Sequence, residues 1–394
     1  MHLLSVGSKN NLNYRLQNEK IIKSVNKFLG TELNQFSKSD NLEKIYKKIS
    51  VQEMKDFLSN IIQYLIKSKK IKKKNLLLNE YYMIGIDMTQ THKLNTNKLQ
   101  SGKEIKGLLF QKSNGKKIYS RKVVEAKLLL FNGLSIPLMS EFVRNDDSVD
   151  GKFIKQDCEL NAAYRLIDNI KKEYPRLKIC LLLDGLYPNE TIFKKCKKNN
   201  WKYIITLKEK KIPTLYKNFI EFKRLENYEE KKKQITFNIN QRYKFVKLKY
   251  LEFDLTCIQV KEYKNKKTEY FNLFITNLDV EKDNVYKISS GGRLRWKIEH
   301  SFNKQKNLLF NLKHVYSKNE NASQCYHILL QIADLIFQFM SYTLTSNGEN
   351  ILYDVFGSLI EFLHEIYVSF REKIGNIEKY FLVKHLILKA PKKK

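Results

Sequence analysis

Hydrophobic and polar positions follow three rhythms along the 394 residues. Apolar residues recur at helical spacing in Ile21–Leu29 and again in Met54–Ile66, which predicts a helical region over residues 1–78. From Tyr81 the pattern is that of strands. Tyr81–Met88 is an apolar run that closes around Asp87, and Val123–Phe131 and Leu134–Phe142 flank Asn132-Gly133. That dipeptide predicts a hairpin with a type I′ turn, whose two central residues both need positive φ. Residues 156–173 return to helical spacing through Leu160, Ala163, Leu166, Ile167 and Ile170. Lys178–Leu183 is a continuous apolar run ending in Asp184, as in a strand buried on both faces. Pro188 opens a short helix, and Trp201–Leu207 is another strand. Strand, hairpin, helix, strand, helix, strand predicts one α/β unit, a mixed sheet with flanking helices.

Residues 209–275 break this order. Gln234–Ile239, Tyr243–Leu251, Leu255–Val260 and Glu269–Ile275 all have strand character, joined by turns rich in lysine, and together predict a β-rich insertion. Beyond it the chain is helical again, from Val285 to about Lys306, over Ala322–Thr343 and roughly over Ile351–Phe370, before a Pro391-Lys392-Lys393-Lys394 tail. The expected organisation is a helical N-terminal region (1–78), an α/β domain built from 79–208 and 276–345, the insertion (209–275) and a C-terminal helical region (346–394). No internal repeat and no glycine-rich phosphate loop is present in the sequence, since Gly291-Gly292 follows no strand.

Composition narrows the partner. The chain has 73 Lys+Arg against 41 Asp+Glu, a formal charge of +32, with 42% hydrophobic residues. The apolar content suffices for a real core and excludes wholesale disorder. The charge excludes an ordinary acidic-to-neutral metabolic enzyme and points to a polyanion, nucleic acid or an anionic membrane. It is spread as +9 over residues 1–80, +11 over 81–208, +7 over 209–275 and +5 over 276–394, as expected of a protein lying along its partner. Codon bias accounts for 63 of the basic residues being Lys, but not for Glu failing to keep pace. Tyr326–Met340, the longest apolar stretch, is interrupted by Gln331, Asp334 and Gln338, so no spanning segment is expected. No signal peptide is expected either, and five cysteines without a C-x-x-C spacing read as reduced thiols of a cytoplasmic protein with no zinc site. The lysines at 67, 69, 70, 72, 73 and 74 belong either to a small DNA-binding bundle or to a solvated helix end favoured by the macrodipole.

Two carboxylates hold equivalent places. Asp87 and Asp184 each end an apolar strand, and in parallel neighbours they emerge at one sheet edge. Like charges there repel unless a cation lies between them or one takes a proton. Hard divalent ions accept such oxygen ligands, and a third acid completes a two-metal clamp on a phosphodiester. The third candidate is Glu299. On an unbroken helix at ~100° per residue, Arg295, Glu299 and Lys306 lie within roughly 60° of each other, a carboxylate between two cations. The plainer reading is an i,i+4 surface pair.

Arg295-x-x-x-Glu299-x-x-x-x-x-x-Lys306, with Trp296 after the Arg and Phe302 three after the Glu, resembles the signature of bacterial insertion-sequence DDE transposases, the Y-R-E-K group. Tyr82–Gln90 (YMIGIDMTQ) is similar to that family's first catalytic strand, Leu181–Tyr187 (LLLDGLY) to its second, and the insertion falls between the second Asp and the Glu. The resemblance covers roughly residues 80–340. It implies an RNase H-like catalytic domain with a mixed five-stranded sheet; the basic N-terminal region (1–78), outside the resemblance, is a separate candidate for DNA binding. It implies a metal-binding catalytic triad of Asp87, Asp184 and Glu299, with Mg²⁺ or Mn²⁺, two per active site. Arg295 and Lys306 become phosphate contacts, and Arg293, Lys208 and Lys210 are further candidates for DNA. The implied activity is metal-dependent cleavage of double-stranded DNA at element ends and strand transfer into a target. It would be carried out by a homodimer assembled on DNA at the bacterial nucleoid, away from membranes. Two positions depart from the family: Gly292 stands where the signature has Tyr, and Met88 where relatives commonly have Gly.

Two rivals remain open on the sequence, an RNase H-like nuclease without strand transfer and a transposase-derived DNA-binding protein that no longer cleaves. Among other residues, Asp146, Asp147 and Asp150 read as a solvated loop, and Asp157 and Glu159 as acids suited to a helix start. His92 and His300 flank two triad members without ligand spacing. Trp296 reads as core rather than as a base-stacking platform.

Overall fold

The computed structural model describes residues 17–343 apart from 95–107, 114–115, 145–147, 150–151, 154–156, 226, 237 and 265–266. Three helices come first: α1 (Glu19–Leu29), α2 (Ser39–Lys48), which the periodicity did not disclose, and α3 (Val51–Lys67). Ser50 caps α3 by accepting the Gln52 N–H at 3.2 Å, one of the donors a helix start leaves unpaired. The buried stripe Leu58, Ile62 and Leu65 then packs into the main core. The lysines that follow, from Lys67 to Lys74, are all exposed.

Strands β1 (Tyr82–Leu94), β2 (Leu109–Ser113), β3 (Lys116–Leu129) and β4 (Ser135–Val143) form the antiparallel half of a mixed sheet. Two-residue strands β5 (Ser148–Val149) and β6 (Lys152–Phe153) pair with each other. After α4 (Glu159–Glu173) come β7 (Ile179–Leu183), α5 (Glu190–Asn199) and β8 (Lys202–Thr206). All five residues of β7 are buried, as its unbroken apolar run requires. The core order β4–β3–β1–β7–β8 keeps β1, β7 and β8 parallel.

The β3–β4 hairpin forms where expected, but its turn is of another type. Gly133 has φ 92° and Asn132 is not among the residues with positive φ. The Gly133 N–H bonds the Leu130 carbonyl at 2.9 Å and the Leu130 N–H bonds the Leu134 carbonyl at 3.0 Å. This is a three-residue loop that needs only one left-handed residue, so glycine alone fixes it.

Side chains alternate between two faces. Ile84, Ile86, Leu181, Leu183 and Ile205 join the cluster shared with α3, α4 and α5, while Met83, Cys180, Leu182 and Ile204 join a second cluster with Val285 and Ile288. Helices therefore cover both faces of the sheet.

The insertion starts with a helix absent from the expectation, α6 (Pro213–Arg224), with Pro213 in its first turn. Only Leu215 and Phe219 of α6 are buried, too few to stand out in a lysine-rich stretch. Strands β9 (Glu229–Thr236), β10 (Ile239–Tyr250), β11 (Phe253–Lys264) and β12 (Lys267–Thr276) follow. Strand β12 pairs antiparallel with β8, from Thr276↔Ile204 to Phe274↔Thr206. The insertion thus continues the same sheet, which reaches 10 strands.

The helix expected from Val285 to Lys306 is not regular: Arg295 keeps helical dihedrals (φ −49°, ψ −39°), but the hydrogen bonds around it tighten, with the Ile298 N–H on the Arg295 carbonyl at 3.0 Å. Helix α7 (Val285–Leu294) gives way at Arg295 to α8 (Trp296–Asn303), and residues Lys304–Leu308 form a π turn in which the Leu309 N–H bonds the Lys304 carbonyl at 2.9 Å. Helix α9 (Glu320–Thr343) ends the described part, so the expected Ile351–Phe370 helix and the lysine tail lie outside the described residues. Among the described residues no helix is long and apolar enough to cross a membrane, and all five cysteines are free.

Candidate active site

Strands β1 and β7 pair in parallel from Tyr82↔Ile179 to Gly85↔Leu182. The same register carried two residues further sets Asp87 level with Asp184, the first residue beyond β7. Asp87 differs from the expectation in one respect: it does not end its strand. Strand β1 runs on to Leu94 because β3 continues beside it after β7 has stopped, with Asp87 opposite Glu125.

Each aspartate fixes one oxygen on its own loop or strand. Asp87 Oδ1 accepts the Met88 N–H at 2.9 Å, and Asp184 Oδ1 accepts the Leu186 N–H at 2.7 Å. The other oxygens meet cations at longer range, Asp87 Oδ2 3.9 Å from Arg295 Nη1 and Asp184 Oδ2 3.9 Å from Lys208 Nζ. Arg295, only 7% exposed, holds Glu299 more tightly, with Nη1 2.7 Å from Oε1. Arg295, at the junction of α7 and α8, thus lies between two of the three acids.

Electrostatics report the crowding. Burial, then the charge of Glu159, and less strongly that of Asp184, push the Asp87 carboxyl from 3.8 to about 7, against the pull of Arg295 and the Met88 N–H. Lys306 is half-buried in the π turn. Burial and Lys313 push its ammonium down while the charge of Asp87 opposes them. Asp87 thus gathers Asp184, Arg295 and Lys306 around itself. Arg293 does not join them: it donates to Glu262 of β11 at 2.8 Å and lies 4.3 Å from the Tyr270 ring of β12. Lys210 is exposed in the loop after β8.

Glu159, in the first turn of α4, does more than open a helix. Its carboxylate accepts the Tyr187 hydroxyl at 2.8 Å, and it is pushed up by burial and by the charge of Asp184. Tyr187 in turn donates its N–H to the Asp184 carbonyl at 3.2 Å. No spacing rule links residue 159 to 87 or 184, so the only sequence signal was an acid in a helix that follows a strand.

Trp296 is not core; it is 49% exposed, and the Arg295 guanidinium lies 5.2 Å from its ring. His92 is buried, and burial with the charge of Arg121 pushes its ring down to about 3, so it stays neutral; His300 is exposed. Asp157 pairs with Arg165 at 2.8 Å, whereas Asp146, Asp147 and Asp150 lie outside the described residues. The departure at 292 has a packing cause. A Cβ there would stand 2.9 Å from Ile204 Cγ2 and 3.0 Å from the Phe274 ring, so α7 lies too close to the sheet for any larger side chain.

A mixed sheet of this order, covered by helices, with one acid within β1 and another just beyond the neighbouring parallel strand β7, defines an RNase H-like domain. Residues 152–335 match the protein family described as the transposase DDE domain. These residues are therefore similar to a transposase DDE domain, as the resemblance read from the sequence implies. The matched segment contains Asp184 and Glu299, and Asp87 precedes it. No curated protein matches the chain.

Proposed function

We propose that this protein is a DDE transposase that cuts double-stranded DNA at the ends of its element and joins the freed 3′ ends to a target, with Asp87, Asp184 and Glu299 as its catalytic acids. The observation that carries this is the level placement of Asp87 and Asp184 beside Arg295, which also holds Glu299.

The donor set suits a hard divalent cation such as Mg²⁺ or Mn²⁺. All the groups are carboxylate oxygens, and Asp87 is driven towards protonation by burial first and then by the charge of Glu159, with Asp184 adding less. Among the described residues no three acids yet converge as a ready ligand set, since Glu299 is turned onto Arg295. Ions of this class need only one or two carboxylates when substrate phosphates supply the rest. Bound there, a pair of such ions supplies the activation of the attacking oxygen and the stabilisation of the leaving one. The protein's own residues do the rest. Asp87 and Asp184 would hold such ions at the sheet edge, with Glu299, now paired to Arg295, as the third acid, and Arg295 would contact a phosphate. Lys306, and further out Lys208 and Lys210, neutralise the DNA backbone, while Arg293 braces α7 against the insertion. A homodimer assembled on DNA follows from the need to process two ends together.

The test is incubation of the purified protein with DNA carrying the sequences that flank its gene, a supercoiled target plasmid and Mg²⁺ or Mn²⁺. Nicked ends and joined products are expected. Released ends that never join would replace this role with that of a nuclease, and end binding without any cut would leave a DNA-binding protein.

A further inference from the structure

A group of charged and polar side chains lies buried between β3, α8 and α9, away from solvent. Lys127 of β3 and Gln305 of the π turn are fully buried, and Asp334, midway along α9, is 5% exposed. Asp334 Oδ2 accepts from Gln305 Nε2 at 2.8 Å, from Gln338 Nε2 at 3.2 Å and from Lys127 Nζ at 3.3 Å. Lys127 also donates to Ser301 Oγ at 2.6 Å, and Gln305 to Gln331 Oε1 at 3.1 Å.

Burying a Lys–Asp pair seldom adds stability over well-packed apolar side chains of similar size, and what it does supply is one defined arrangement. Its contacts show which arrangement. Ser301 lies two residues after Glu299, and Gln305 lies immediately before Lys306. Lys127 is opposite Gly85 in the register of β1, two residues before Asp87. The network therefore ties the strand next to Asp87 to both ends of the segment that runs from Glu299 to Lys306. A π turn needs such a tie, because it inserts a residue into the helix and is less favourable than the regular α-helical turn. Here the inserted turn points Gln305 inward and leaves Lys306 half-buried near Asp87.

We propose that Asp334, acting through Gln305, is a positioning residue that sets Lys306 relative to Glu299. It touches neither substrate nor metal itself. This assignment rests on the transposase role for the cleavage it would affect, but the geometry of the turn is measurable without it.

The experiment compares the full-length protein with Gln305→Leu, which keeps the Lys127–Asp334 pair, and with the double variant Lys127→Met/Asp334→Leu, which replaces both charges by apolar groups. Amide exchange over residues 296–312 is followed by mass spectrometry, alongside cleavage rate, end-DNA affinity and the Mn²⁺ concentration giving half-maximal cleavage. In both variants amides 304–309 should exchange at least about tenfold faster, the extent expected when a local opening becomes easier. Cleavage should fall by about a hundredfold with end-DNA affinity unchanged, the scale of a small misplacement at a reacting centre. Asp334→Glu, which retains the acceptor, should recover part of the rate. A merely structural role predicts that the double variant, once folded, cleaves normally. Unchanged exchange in a folded variant would overturn the proposal, as would cleavage within about twofold of the parent despite faster exchange. If the parent itself cleaves nothing, the transposase role fails instead, and the exchange measurement still decides whether Gln305 and Asp334 hold the turn.

Discussion

Asp87 on β1 and Asp184, the first residue beyond β7, stand level when the parallel register is carried on from Gly85↔Leu182, 97 residues apart in the chain. The apolar residues before them, Ile84 and Ile86 on one strand and Leu181 and Leu183 on the other, share one core cluster, so the register that aligns the acids is enforced by packing. Glu159 and Arg295 then approach from helices on opposite sides. The core holds together a group of like charges that would otherwise separate.

Burial of Asp87, with that crowding, makes stability depend on pH with a definite sign. The folded Asp87 carboxyl keeps its proton to about 7 against 3.8 for the ordinary group, so between those values the folded protein binds more protons than the unfolded one. Its stability contribution is present below 3.8 and is lost as pH rises through about 7. Asp87→Asn, neutral throughout, should therefore melt at a higher temperature than the parent at about pH 8 in metal-free buffer, and the gain should shrink towards about pH 4. Mg²⁺ should raise the melting temperature of the parent at the higher pH but not that of the variant. Thermal scans over the range, with and without EDTA, check both.

Chemistry separates the acids from their surroundings. Asp184→Ala and Glu299→Ala should each reduce Mn²⁺-dependent cleavage by at least about 10²-fold, the scale of losing one preorganised electrostatic contact. End-DNA binding in a gel-shift assay should persist, since removing a negative charge does not weaken attraction to a polyanion. Full cleavage by Asp184→Ala would sink the assignment of this residue.

Much of this arrangement was legible in the sequence, and the gaps have physical reasons. Lys178–Leu183 and Tyr81–Met88 announced themselves because strands buried on both faces must be continuously apolar. Their pairing then followed from the resemblance to a known family. Helix α6 was missed because two buried residues in a stretch of lysines give no periodic signal. The tightened junction at Arg295 and the π turn at Lys304–Leu308 were invisible for another reason. Local spacing fitted one straight helix, and only the distant Asp334 and Gln331 decide that Gln305 turns inward. Glu159 reaches the site through tertiary packing alone, by way of Tyr187.

Position 292 offers a direct test of packing against ancestry. With Ile204 Cγ2 at 2.9 Å and the Phe274 ring at 3.0 Å from an added Cβ, Gly292→Ala should destabilise the protein by about 1–3 kcal/mol through overpacking. Gly292→Tyr, which restores the residue of the family signature, should cost more and yield little folded protein. Urea denaturation followed by circular dichroism measures the first, and soluble yield the second. A stable, active Gly292→Tyr protein would mean that α7 can move off the sheet.

Trp296 distinguishes a surface role from a core one with the fewest assumptions. The chain has two tryptophans, Trp201 at 2% exposure and Trp296 at 49%. Trp296→Ala should change folding stability by no more than about 0.5 kcal/mol, as for a surface position, whereas Trp201→Ala should cost about 3–5 kcal/mol. Acrylamide should quench the Trp296 component of the fluorescence in the free protein and lose access to it when end DNA is added. A stability loss at 296 as large as that at 201 would show that the side chain is packed and return it to the core. An unchanged quenching profile on saturation with end DNA would place this face of α8 outside the DNA contact, and with it the phosphate role of its neighbour Arg295.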